Sequence, residues 1–128
     1  MRFTPLLVAI FATSTQAASP MESALNNYFL VVAGTYTSVR CNWLTGNQEK
    51  ESVGYVGVLT EALSKEISSS QVVLNHHNAA IEFAKQEKFK SCDDEARKLG
   101  NAGVEYGKAW GEQVKGAYKA AQSPNQIR

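Results

Sequence analysis

The feature that most constrains this chain is the spacing of its apolar residues. Ala96, Leu99, Tyr106, Trp110, Val114, Ala117 and Ala121 recur along one face of a predicted helix, while Arg97, Asn101, Glu105, Lys108, Glu112, Lys115 and Lys119 hold the opposite face. A repeat of three and four residues aligns one stripe of an α-helix; a strand would need strict alternation. Three earlier segments carry the same period. Met21, Leu25, Tyr28, Val32, Tyr36, Val39 and Trp43 form the first stripe. Val53, Val56, Leu59, Leu63 and Ile67 form the second, and Val73, His77, Ala80, Ile81 and Ala84 the third. The β-branched residues from Val31 to Val39 lower helix propensity there, but the stripe is longer than an ordinary strand.

Start signals divide the segments. Ser19-Pro20-Met21-Glu22 reads as a capping box with proline at the first helical position. The first helix is expected to end before Gly46. Asn47 is the expected cap of the second helix and Ser70 of the third. Ser91-Cys92-Asp93-Asp94 opens the fourth, with its acids at the positive end of the helix. Four amphipathic helices with short links predict an all-α fold, a four-helix up-down-up-down bundle.

The cysteines fit that topology. The first helix ends where the fourth begins, and the two are neighbours. A Cys41–Cys92 bridge would close a loop of about 50 residues, worth roughly 4 kcal/mol by chain entropy. Cys41 projects away from the Tyr28–Val32–Tyr36 stripe. Either the helix stops before it, or the back of the helix, with Leu30, Val31 and Gly34, also meets a neighbour.

The bridge also suits the expected compartment. Arg2, the apolar run Phe3 to Ala12, and Thr15 and Ala17 at the peptidase-read positions mark residues 1–17 as a secretory signal peptide. Cleavage after Ala17 leaves a helical domain at 18–122 and a flexible tail at 123–128. The expected product is secreted or periplasmic, where disulfides persist. No later apolar run approaches the roughly 18–20 residues that span a bilayer. Losing Arg2 leaves equal numbers of cations and anions. A neutral chain without a basic patch argues against nucleic acid as a partner and against electrostatic membrane binding.

Constellations for chemistry are sparse. There is no Cys-x-x-Cys and no Cys-x-x-Cys-His, which excludes the thioredoxin-like and covalent-haem motifs. His76 and His77 are adjacent, so they point about 100° apart and cannot grip one metal from one face. Met21 and His77 stand at different levels and do not make a haem pair. No nucleophile elbow or phosphate-cradling loop is present. Catalytic residues, metal and cofactors are therefore expected to be none, and the protein is read as a non-enzyme. His77 is either a core histidine or a ligand-binding residue inside the bundle.

Gly100, Gly103, Gly107 and Gly111 are the unusual feature. Each costs roughly 1 kcal/mol against alanine within a helix. The stripe is either a close approach of a neighbouring helix or a groove for a partner. On the second reading Gly103, Tyr106, Gly107, Trp110 and Gly111 form the interaction surface, with Leu30, Val31 and Gly34 as a secondary one. The expected function is an exported, non-enzymatic protein–protein interaction protein: a periplasmic accessory or immunity protein, or a secreted effector. A homodimer would use the same face. The alternative is a small-ligand carrier using the core around His77.

The order Ala33-Gly34, Arg40-Cys41-Asn42 and one later cysteine resembles the small disulfide-bearing helical pilotins of type II secretion. That resemblance implies a secretion accessory role as a further alternative. Pilotins are lipoproteins, however, and no cysteine stands directly after the expected cleavage site here. No functional residue is carried across.

Overall fold

The computed structural model describes residues 19–122. The expected signal segment 1–17 and the tail 123–128 lie outside them. The described chain is all-helical: α1 (Pro20–Arg40), α2 (Gly46–Ile67), α3 (Ser70–Ala84), the one-turn α4 (Glu87–Lys90) and α5 (Asp94–Gln122). One disulfide joins Cys41 to Cys92, with Cα atoms 5.8 Å apart.

Local chemistry sets the helix starts. Ser19 accepts from the Glu22 amide at 3.1 Å and Glu22 returns the bond to the Ser19 amide, with Pro20 at the first position. This is the capping box read from the sequence. The second start differs from expectation. Thr45, rather than Asn47, caps α2, and Gln48 completes a second reciprocal box. A β-branched hydroxyl followed three residues later by glutamine satisfies two orphan donors, which Asn47 could not do from inside the first turn. Ser69, one residue before the expected Ser70, caps α3 through the Val72 amide. The extra turn α4 interrupts the expected single link between α3 and α5. Its Phe89 is buried against Phe83, ring centres 5.3 Å apart, and Phe83 meets Phe29 of α1 at 5.4 Å.

α1 is the central element. Val31, Val32, Ala33, Gly34, Thr35, Thr37 and Ser38 are all buried, so the helix is covered nearly all round. It packs chiefly on α5 and on α3, and α2 packs on the same two helices. Both possibilities left open for Cys41 hold at once. α1 stops at Arg40, with Cys41 as its C-cap, and the back of α1 lies against α5. Asn27, also on α1, is fully buried, and neither of its amide atoms has a hydrogen-bond partner among the described residues. Such an orphaned group costs about 1–3 kcal/mol.

Candidate functional site

The glycine stripe lies inside the molecule. Gly100, Gly103, Gly107 and Gly111 are all buried. A Cβ built on Gly103 would stand 2.5 Å from the Gly34 Cα and 2.7 Å from the Leu30 carbonyl oxygen. At Gly100 it would meet the Ser38 hydroxyl at 2.6 Å, and at Gly107 the Val31 side chain at 2.8 Å. Gly111 receives the ring of Tyr55 from α2. Trp110 is 5 % exposed, and Tyr106 is half-buried with its ring 5.9 Å from that of Trp110. The face expected to receive a partner is therefore filled by α1 and α2 of the same chain. The physical reason is economical: glycines let two helices meet at backbone distance, which offsets their cost in helix propensity. The secondary surface shares this fate, since Val31 and Gly34 are buried and Leu30 is half-buried.

His77 comes to a different place. It lines an apolar cleft of about 200 Å³ between α1, α2 and α3, with Val32, Thr35, Tyr36 and Val39 from α1, Val53 and Val56 from α2, and Ile81 from α3. The accessible wall of the cleft is almost wholly apolar. The His77 ring is half-buried, 6.2 Å from the ring of Tyr28, and makes no hydrogen bond among the described residues. His76 faces elsewhere: its Nδ1 lies 3.0 Å from the Val72 carbonyl oxygen, one turn back on its own helix. Among the described residues no group of three or more His, Cys, Asp or Glu is placed to hold a metal ion.

The cleft walls come from residues that sequence periodicity assigned to the core. Val53 is the clearest case. It belongs to the α2 stripe yet is 51 % exposed, at the cleft. Periodicity gives the direction of a side chain but not the distance to the next helix, so no sequence signal distinguished a filled interface from an open one.

Other polar contacts lie elsewhere in the bundle. The Tyr28 hydroxyl of α1 shares a 2.7 Å hydrogen bond with Thr60 of α2. Burial pushes the Tyr28 phenol up, partly opposed by that hydrogen bond. On the far side of the molecule the Tyr55 hydroxyl donates to the Glu112 carboxylate, which, with burial, raises the Tyr55 phenol to about 12. Burial alone raises the Tyr106 phenol. A second, polar cleft of about 260 Å³ lies where Trp43 and Leu44 approach α5, with the Arg97 guanidinium stacked 4.5 Å over the Trp43 ring. The remaining exposed large apolar residues, Met21, Leu74 and Tyr118, lie on α1, α3 and α5 respectively; single exposed hydrophobics of this kind are normal on a protein surface.

No helix among the described residues is long and apolar enough to cross a membrane. No family model, curated protein or solved structure matches this chain.

Proposed function

We propose that this protein is an exported, non-enzymatic binding protein that takes a small apolar ligand into the cleft around His77. We read its four long helices as alternating in direction along the chain, up-down-up-down, supported by the register of α1 on α5, where Gly34 meets Gly103 and Val31 meets Gly107 so that the two run in opposite directions. Since α1 and α2 both pack on α3 and α5, these two consecutive helices stand diagonally rather than side by side. The observation that carries the functional reading is the cleft itself. It is apolar, open to solvent and about 200 Å³. A dry cavity of roughly 150 Å³ with similar walls takes up a benzene molecule, so one aromatic ring or a short branched alkyl group matches the space.

The test uses toluene as a probe, followed by amide chemical shifts. Shifts centred on Val32, Tyr36, His77 and Ile81 are expected. Val53→Trp should remove them, because Val53 is exposed at the cleft and a larger ring there covers the opening without entering the core. Shifts that are scattered, or unchanged by Val53→Trp, would overturn the reading.

A second reading keeps the interaction function but moves its surface. The exposure of Val53 favours it, since a half-open apolar cleft can receive a side chain from a partner protein as an anchor. A native mass spectrum of the protein from its own secretory compartment separates the two. An added small mass supports the carrier, and a second polypeptide lost in Val53→Trp supports the partner.

A further inference from the structure

The two cysteines of the Cys41–Cys92 bridge lie at opposite kinds of helix end. Cys41 is the C-cap of α1, a helix of 21 residues, and its amide donates to the Thr37 carbonyl oxygen at 2.9 Å. It therefore sits at the negative end of the α1 dipole, where a thiolate is disfavoured. Cys92 lies two residues before Asp94, the first residue of the 29-residue α5. That is the positive end of a long helix, where a thiolate is favoured.

Arg40 adds a second, independent element. Its Nη2 donates to the Phe89 carbonyl oxygen at 2.7 Å and its Nη1 to the Lys90 carbonyl oxygen at 3.3 Å. These bonds hold the guanidinium over the chain entering Cys92, with Nη1 4.0 Å from the Cys92 sulfur. Arg40 pairs with no carboxylate among the described residues, so its full positive charge faces that sulfur. Asp93, Asp94 and Glu95 oppose it, but all three are exposed, and Asp93 accepts the Ser91 hydroxyl at 3.1 Å. Solvent screens their charges far more than that of the half-buried Arg40.

The geometry points to Cys41 as a site of S-thiolation, with Cys92 as the leaving and resolving sulfur. An incoming thiolate attacks the Cys41 sulfur. A sulfur–sulfur bond forms between them, the Cys41–Cys92 bond breaks, and its electron pair departs on Cys92 as a thiolate. The sulfur with the lower proton affinity leaves faster, and the Arg40 charge and the α5 terminus make that sulfur Cys92. A second thiolate then attacks the external sulfur of the adduct. It releases Cys41 as a thiol and leaves the two external sulfurs joined, so the protein bridge is reduced and the two external thiols are oxidised. In the reverse direction the Cys92 thiolate attacks Cys41 of the adduct, expels the external thiolate and restores the bridge.

The experiment pulses the oxidised protein with reduced glutathione, quenches with acid at early times and locates the adduct by peptide mass spectrometry. A several-fold excess on Cys41 is expected, and Arg40→Gln should bring the two sites toward parity. An adduct that forms equally on both sulfurs, or mainly on Cys92, overturns the assignment. The single-cysteine variants Cys41→Ser and Cys92→Ser give a check that does not depend on Arg40 variants folding. At one fixed pH the Cys92 thiol should be alkylated several-fold faster than the Cys41 thiol. The opposite order overturns the assignment equally.

Discussion

Replacing Gly103 with alanine adds one methyl group where the backbones of α1 and α5 meet. The new Cβ would lie 2.5 Å from the Gly34 Cα and 2.7 Å from the Leu30 carbonyl oxygen. Ordinary contact begins near 3.4 Å, so the helices must part by close to an ångström. Both obstacles are backbone and neither can rotate away. Overpacking of this kind costs about 1–3 kcal/mol, and a backbone clash belongs at the upper end. Alanine returns about 1 kcal/mol in helix propensity. The net destabilisation is then about 2 kcal/mol, which for a domain of this size lowers the melting temperature by about 8–16 °C. Gly116 on the same helix is the control. A Cβ there meets nothing within 4 Å, so Gly116→Ala should gain up to about 1 kcal/mol. Thermal and urea unfolding of both variants, with the bridge intact, measures the difference. If Gly103→Ala is as stable as Gly116→Ala, the helices are not in backbone contact and the reasoning fails.

Two further outcomes follow from other contacts. Replacing both Cys41 and Cys92 with serine releases a loop closed across a sequence separation of 51 and should cost about 4 kcal/mol by chain entropy; an unchanged urea midpoint would show that other contacts already close that loop. The Tyr55 phenol is raised to about 12 by its bond to Glu112 and by burial, above an unfolded value near 10. A raised value favours the neutral phenol in the fold, so this stabilisation is complete below pH 10 and is lost as pH climbs toward 12. Glu112→Gln should lower the phenol titration and weaken the alkaline loss, both visible in ultraviolet absorbance and in unfolding curves; a titration unmoved by the variant would show that the carboxylate is not the cause.

What the sequence disclosed depended on range. The Ser19–Glu22 capping box was legible because it is local: four residues contain both hydrogen bonds. The Cys41–Cys92 bridge was legible because helix ends and helix order place both residues at one end of the molecule. Thr45 was missed in favour of Asn47 because both are good caps, and only the Gln48 partner decides between them. The one-turn α4 was missed because four residues are too few to show a helical period. The position of α1 at the centre was present in a form that a single stripe could not express. Val31-Val32-Ala33-Gly34-Thr35 offers small or apolar residues in every direction, the pattern of a helix covered on all sides. Reading only the Tyr28–Val32–Tyr36 face left Gly34 as a loose feature, although it is the partner that explains Gly103.

That pairing also accounts for where the cleft opens. α5 meets α1 at backbone distance through Gly34 and Gly103, and it takes the Tyr55 ring of α2 onto Gly111. The flat face of α5 thus holds both α1 and α2 on one side of the molecule. On the other side α3 presents His77 and Ile81 to the cleft and, having no glycine, offers no comparable backbone approach. The space left between these unequal sides is the cleft lined by Tyr36, Val53 and His77. On the proposed function, stability and binding fall to opposite faces of α1. Gly103→Ala should lower the melting temperature more than it changes toluene uptake, while Val53→Trp should remove uptake at little cost in stability, because the residue is half out of the fold already. Unfolding and uptake measured together on both variants decide the point. If both properties fall together in both variants, α5 packing and the cleft are one unit, and the glycines serve the site as well as the fold.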